Sequence, residues 1–411
     1  MPNDQRVQTA EAGRLLADLG FRPPDADEVR EVAELRAAGS LSLPLTPAEA
    51  LLPVTLLSAQ PVISYSGLSR AAQLGAAGVM TGVRAAADGW FLLSPTWTID
   101  DADKALSLRR LAILHRLANP GHRLIFMGNT PQETERMQEL GEAAFFYSKL
   151  ANVREDIFRP LNGIGRDLDA IYNAQLVAWK RHDLSLEIPR CGFLFYRDRG
   201  FADAAAEEAE IRARHAEKAP GHQFINQPRT NGSPRRLKPA AVNRHLNRAP
   251  VGLCLSEREG AMFVSMEYQM AGLGIVTTPS IGGREIYFDG DYCLTVPADP
   301  RAVRDAVTAI KARGVPPEHI RSATLKRVDA DRRRFLALLD RIVATSGRRP
   351  RFGQRWLFDQ PVMMRWYPAH RAISRVVQGR VDAYTPRRLR YWTARFGVSL
   401  RTPSSGHSVT P

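Results

Sequence analysis

Two glutamates eight positions apart, Glu259 and Glu267, bracket the stretch EGAMFVSME, which follows the apolar run VGLCLS. That run reads as a strand and FVSMEYQMAGL as a helix, so the loop SEREGAMF sets Gly260, Ala261, Met262 and Phe263 at a helix start. Backbone amides in the first turn of a helix lack intrahelical partners, and the helix dipole favours an anion there. Glycine also lets a ligand approach the backbone closely. Glu259 stands at the mouth of the loop and Glu267 one to two turns into the helix. Amides for a phosphate and carboxylates for sugar hydroxyls would suit a ligand with an anionic middle and hydroxyl-bearing ends. Taken alone, the two acids read more simply as a helix cap and a surface glutamate. Upstream, AIYNAQLVAWKRH supplies Lys180 with Arg181 beside it. A lysine is a mobile point charge suited to phosphate, and a departing diphosphate needs its developing charge balanced. The plain alternative is a solvated Lys-Arg pair.

These residues sit in a regular alternation. From about residue 167 the order is LDAIYNAQL (strand), WKRHDLSLEI (helix), RCGFLFYR (strand), ADAAAEEAEIRARHAEK (helix), HQFINQ (strand) and KPAAVNRHLNRA (helix). It continues with VGLCLS (strand), FVSMEYQMAGL (helix), GIVTT and DYCLTV (strands) and DPRAVRDAVTAIKARG (helix). Short apolar strands, each ending in a polar or glycine-containing loop, predict a parallel, doubly wound sheet with its ligand crevice at the strands' carboxyl ends. The earlier half is less regular. Its first 60 residues read as helices around AEAGRLLADLG and PDADEVREVAELRAAG, followed by the β-like runs PVISYS and GWFLLS and a long helix over IDDADKALSLRRLAILHRLAN. A strand–loop–helix unit, HRLIFMG–NTPQ–ETERMQELG, then precedes a short strand, AAFFYS.

With 411 residues and 44% hydrophobic content, the chain is long enough for two domains with cores. No apolar run reaches the length of a membrane span and the first residues show no signal-peptide pattern, so a cytoplasmic protein is expected. Cys191, Cys254 and Cys293 stand singly in apolar runs, which predicts reduced core thiols. The net charge of +14 is uneven: from Arg348 to Pro411 there are thirteen arginines, two aspartates and no lysine. There the arginines interleave with Trp356, Trp366, Tyr367, Tyr391 and Trp392. Three readings stay open for this tail: a segment docking back on the first domain, contact with an anionic membrane surface at the inner face, and, least favoured, nucleic acid.

The segment from Gly252 to Val307 resembles the donor-binding region of retaining glycosyltransferases of the family 4 type, which have the GT-B fold. The elements that carry the likeness fall in order: Ser256, Glu259-Gly260, Glu267, Ala271-Gly272-Leu273-Gly274-Ile275-Val276, Gly282-Gly283-Arg284-Glu285, and Val296 to Pro300. The resemblance implies an α/β chain of two facing Rossmann-like domains. The expected division is an acceptor-side domain over 1–160, a donor domain over 161–345 and a basic helical tail over 346–411. It implies that Glu259 meets donor-sugar hydroxyls, that the amides of Gly260 to Phe263 lie near sugar and diphosphate, and that Glu267 binds ribose. Glu285 matches the acid of the Gly-Gly loop, with a helix cap as the other reading. Lys180 would hold the diphosphate with Arg181 near it. The reaction implied is sugar transfer from a nucleotide-diphosphate donor with retention, by a front-face mechanism in which the leaving phosphate takes the acceptor's proton. Neither a nucleophilic side chain nor a metal or other cofactor is implied; the nucleotide sugar is a co-substrate, and the acceptor is a glycan, a lipid-linked group or a small molecule.

Two departures stand out. Where relatives carry an arginine five residues before the lysine, this chain has Gln175, and Ala261-Met262-Phe263 replaces Gly-Phe-Gly. A catalytically weak relative that binds a nucleotide or a partner is therefore the second expectation. In the loop INQPRTNGSPRRL, Asn226 and Arg236 are candidates for contact with a base, and the segment NVREDIFRPL is expected to cross between the domains. His115, His122 and Asn129 lie near a strand end without an assignable role.

Overall fold

The computed structural model describes residues 2–43, 50–68, 73–197, 204–226, 236–349, 352 and 365–380. Five strands of the first half, β1 (Leu51–Ala59), β2 (Val62–Gly67), β3 (Gly89–Ser94), β4 (His122–Gly128) and β5 (Ala144–Phe146), form one sheet together with a late strand, β12 (Arg365–Pro368). Its order is β12-β1-β2-β3-β4-β5; β2 to β5 run parallel, whereas β1 is antiparallel to both its neighbours. The helices α1 (Pro2–Asp18), α2 (Ala26–Ala37), α3 (Gly75–Val79), α4 (Ala102–Ala118) and α5 (Pro131–Glu139) belong to this domain. β2 and β3 are buried at every position, as strands covered on both faces are. Helix starts follow local chemistry: Asp25 and Glu28 form a capping box on α2, Asp101 caps α4, and Thr130 caps α5 ahead of Pro131.

The second sheet is wholly parallel. It contains β6 (Ala170–Asn173), β7 (Cys191–Leu194), β8 (Gln223–Phe224), β9 (Val251–Cys254), β10 (Gly274–Thr277) and β11 (Cys293–Thr295) in the order β11-β10-β9-β6-β7-β8. The chain starts in the middle at β6, winds out to β8, then returns to the other side of β6 with β9. The order reverses between β6 and β9, and such a switch point opens a crevice at the strands' carboxyl ends. Helices α6 (Ala204–Lys218), α7 (Pro239–Leu246), α8 (Phe263–Met270) and α9 (Pro300–Arg313) make the connections. α8 lies close on β9 because Gly252 has no side chain: a Cβ there would sit 2.3 Å from the Tyr268 ring. Tyr268 in turn accepts a hydrogen bond from the Asn173 amide at the end of β6 (2.7 Å).

Helix α10 (Pro317–Ala344) runs from the second domain onto the first. Arg321 donates to the carbonyls of Glu155 (2.8 Å), Phe158 (2.5 Å) and Met270 (3.0 Å), and buried Arg332 donates to that of Ala151 (2.9 Å). Further along, Phe335 stacks on Tyr147 at 4.3 Å and leans on Tyr65. Asn243 of α7 and Asn247 at its C-cap hold the backbone amides of Arg159 and Leu161, so the segment 152–161 does cross between the domains. Beyond α10, β12 and α11 (Ala369–Val377) pack on the first sheet, with Ala369, Ala372 and Val376 joining the apolar cluster of Val54, Leu56 and Met80. The described part of the tail therefore docks on the first domain; Trp356, Tyr391 and Trp392 lie outside the described residues. The architecture is α/β, two Rossmann-like domains facing one another, as expected of GT-B.

Several elements differ from the sequence reading. β1 forms over LLPVTLLSA, where the sequence reading placed no element. Over WKRHDLSLEI the chain makes two 3-10 turns, Ala178–Lys180 and His182–Ser185, because Arg181 between them is left-handed (φ 51°). Helix α10 was not anticipated at all. All three cysteines are buried and free. Among the described residues, no helix is long and apolar enough to cross a membrane.

Candidate active site

The loops after β6 and β9 flank the switch point, and they bring Lys180 and Glu259 together. Both side chains are buried, the Lys180 ammonium pairs with Glu259 Oε1, and the Ser256 hydroxyl donates to the same oxygen at 2.6 Å. Burial lowers the Lys180 pKa, and the Glu259 charge works against that shift. The ammonium also lies 4.0 Å from the centre of the Trp179 ring.

Two arginines brace the floor. Arg181 donates from Nε to the Leu255 carbonyl (2.6 Å) and from Nη2 to Thr278 Oγ1 (2.8 Å). Arg284, completely buried, donates to the Ser256 carbonyl (2.6 Å) and to that of Thr278. Both guanidinium groups thus grip the ends of β9 and β10. Glu285 follows with Oε1 3.7 Å from Arg284 Nε; neither atom has a hydrogen-bond partner among the described residues.

Helix α8 begins where the sequence placed it. Its N-cap residue Met262 offers no capping side chain, so the amides of Phe263 and Val264 receive no side-chain cap, while that of Ser265 donates to the Met262 carbonyl (2.9 Å). Met262 itself is buried and Phe263 exposed. The Glu267 carboxyl, on the same helix, makes no hydrogen bond or ion pair with another described residue, and burial pushes it up to about 7. A carboxyl in that state accepts or donates to a hydroxyl equally well.

The opposite wall comes from the first domain, at close range. A Cβ on Gly260 would lie 2.8 Å from both the Thr96 carbonyl oxygen and Trp97 Cα, and one on Gly283 would lie 2.9 Å from the Asn129 carbonyl oxygen. Those glycines admit the facing domain rather than leaving a gap. Gly282 is required for another reason: at φ 118° it lies against the Glu259 carbonyl. Trp97 meets Trp179 edge to face at 5.8 Å across the cleft. The loop carrying Trp97 is held at several points: Lys149 Nζ and Asn129 Nδ2 donate to the Pro95 carbonyl (2.5 and 3.4 Å), Thr96 to Leu68 and Lys104 to Thr98, while Glu133 accepts from the amides of Ile99 and Asn129.

Two predicted residues stand apart from this cluster. Asn226 is buried and pairs with the Phe195 backbone, accepting from its amide (2.9 Å) and donating to its carbonyl. That pairing extends the edge contact of β7 and β8 and spends the amide group on the fold. Arg236 is exposed beside residues outside the description. His115 and His122 pair with each other at 2.9 Å, and burial drives the His115 pKa down to about 3. The residues the sequence reading missed are Lys149, Trp97, Trp179 and the bracing role of Arg284. Arg284 alone had a signal, its place within the Gly-Gly motif.

No protein-family profile and no curated protein sequence matches the chain. Among solved structures it is similar to a glycosyltransferase from Rickettsia africae (TM-score 0.49, 11% identity, 77% of this chain and 80% of that one). It is also similar to Anabaena Alr3699/HepE in complex with UDP-glucose (0.46, 12%, 64% and 76%) and to sucrose-phosphate synthase from Thermosynechococcus elongatus (0.44, 15%, 58% and 63%). The chain spans less than two thirds of that synthase's length. The architecture itself rests on the strand orders and facing loops described above.

Proposed function

We propose that this protein is a glycosyltransferase that moves a sugar from a nucleoside-diphosphate donor to an acceptor with retained configuration. The observation that carries the reading is the convergence, at the β6/β9 switch point, of Lys180, Glu259 and the start of α8, which has no side-chain cap, with the Glu267 carboxyl unpaired on the same helix. Donor diphosphate would take the α8 amides and the Lys180 ammonium, and Glu259, released from Lys180, would accept from a sugar hydroxyl. Glu267 suits the ribose diol. Charge that develops on the leaving phosphate is balanced by Lys180, whose side chain is buried, and such a contact is strongest out of bulk water. The departing phosphate oxygen is itself basic enough to take the acceptor's proton, so neither a protein base nor a metal is invoked.

A second reading, nucleotide binding with weak or no turnover, is favoured by one observation. Gln175 occupies the position of an expected arginine, and the two arginines around Lys180 are committed to protein oxygens. Thermal-shift titration with UDP, GDP and ADP, followed by donor hydrolysis with the responding nucleotide's sugars, separates the readings. Bound nucleotide raises the melting temperature by mass action. Turnover lost in Glu259→Ala and Lys180→Ala supports transfer; a shift without turnover in the unaltered protein supports binding alone, and no shift with any nucleotide defeats both.

A further inference from the structure

A buried lysine that the proposed chemistry has not used stands on the first-domain side of the cleft. Lys149 follows β5 and is 6% exposed. Its ammonium donates to the Pro95 carbonyl, and no carboxylate among the described residues lies within ion-pair distance of it. A buried cation satisfied by one neutral carbonyl is costly to keep, and one whose nearest acids stand beyond ion-pair distance leaves a position for an anion. Asn129 shares the Pro95 carbonyl with it, and Asn129 Oδ1 is buried with no partner among the described residues. The groups that face Lys149 are Glu133 from α5, Lys104 from α4 and Glu259 from the second domain, itself tied to Lys180. Lys149 is as covered as Lys180 and Glu259, and the cover is shared: the Pro95–Trp97 loop seated on Gly260. An opening that admits a ligand to one admits it to all three.

We propose that Lys149 binds an anionic oxygen, phosphate or carboxylate, of a substrate in this cleft, supplying from the first domain the cation that neither Gln175 nor the braced arginines supply. The inference rests on the glycosyltransferase reading and names a further substrate contact within it. Two sources share this chemistry, the donor's diphosphate and an anionic group on the acceptor.

Burial, opposed by Glu133 and Glu259, lowers the Lys149 pKa to about 8. An anion at the ammonium raises it again, so binding near pH 8.5 draws roughly 0.7 of a proton onto Lys149. Titration calorimetry of the full chain at pH 8.5, in two buffers of different ionisation enthalpy, reads that uptake. UDP, GDP and ADP are titrated first, then inorganic phosphate into the protein saturated with the diphosphate that binds. Proton uptake with the diphosphate that is lost in Lys149→Met, with affinity falling roughly 10- to 100-fold, assigns the donor phosphate. Uptake only with inorganic phosphate, again lost in the variant, assigns an acceptor anion. Lys149→Arg keeps the charge but cannot titrate, so it retains affinity within about threefold and loses the uptake; it decides the matter even if the Met variant fails to fold. Diphosphate binding that depends on Lys180 and Glu267 but shows no Lys149-dependent uptake in either titration overturns this inference and leaves the functional reading standing. Absence of binding by all three diphosphates removes both.

Discussion

The Lys180–Glu259 pair is where the geometry makes its sharpest energetic claim. The two side chains are 10% and 9% exposed, and the second carboxylate partner is the Ser256 hydroxyl at 2.6 Å. Removing one charge leaves the other buried and uncompensated, which costs about 3–5 kcal/mol. Removing both leaves no stranded charge, and replacement of a buried pair by well-packed neutral groups is close to neutral. Lys180→Met and Glu259→Gln should therefore each destabilise by about 3 kcal/mol, while the double variant returns to within about 1 kcal/mol of the unaltered chain. At about 2–4 °C per kcal/mol for a domain of this size, each single variant melts about 6–12 °C lower and the double variant within about 4 °C. Near-ultraviolet circular dichroism melts of the four proteins at neutral pH close the cycle. Additive losses, with the double variant below either single one, would refute the idea that the two charges neutralise each other. So would single losses under about 1 kcal/mol, which mark an exposed, screened pair.

Glu267→Gln tests the unpaired carboxyl. With its pKa raised from 4.5 to about 7, the native chain holds a proton between those values that the unfolded chain has lost, so stability falls as pH rises through that window and is level above it. The Gln variant should lose that slope and be more stable at pH 8 by about 1–3 kcal/mol, read from melting temperature against pH. Gly260→Ala should push the domains apart, since the clash is with Thr96 and Trp97; small-angle scattering should show a larger radius of gyration with secondary structure unchanged. Gly282→Ala, by contrast, meets the Glu259 carbonyl at 1.6 Å within one domain and should lower the melting temperature without a change in domain spacing. Phe335→Ala removes a fully buried ring stacked on Tyr147 and should cost about 3–5 kcal/mol in urea unfolding.

The second domain was legible because its signals are local. Each strand from β6 to β11 is a short apolar run ended by a polar loop, and Asp299-Pro300 and Gly314 mark both ends of α9. The pairing of Lys180 with Glu259 was not legible in that way: 79 residues separate them, and only the β6/β9 adjacency joins them. Lys149 shows the limit most clearly. Nothing in KLANV distinguishes it from a surface lysine until β5 is placed beside β4 and the loop after β3 folds over it. The helix expected over WKRHDLSLEI does not form because the left-handed Arg181 aims its guanidinium at the ends of β9 and β10, a tertiary demand that overrides propensity. β1 was hidden by its own composition, since LLPVTLLSA carries a proline that a strand tolerates only near an edge.

That edge has a consequence for how the protein is made. Leu51 and Val54 pair with Pro368 and Arg365, strand partners about 300 residues apart in synthesis. The second sheet is built from consecutive chain and is complete once β11 has emerged. The first sheet is begun earlier and finished last, because its outer row of β1 amides and carbonyls stays open until β12 arrives and α11 covers Val54 and Met80. Over that interval the nascent chain carries a folded second domain beside an unsealed strand edge, the kind of surface that recruits other strands. A ribosome stalled before residue 365 would thus release a protein with its candidate site nearly whole and its aggregation seam exposed.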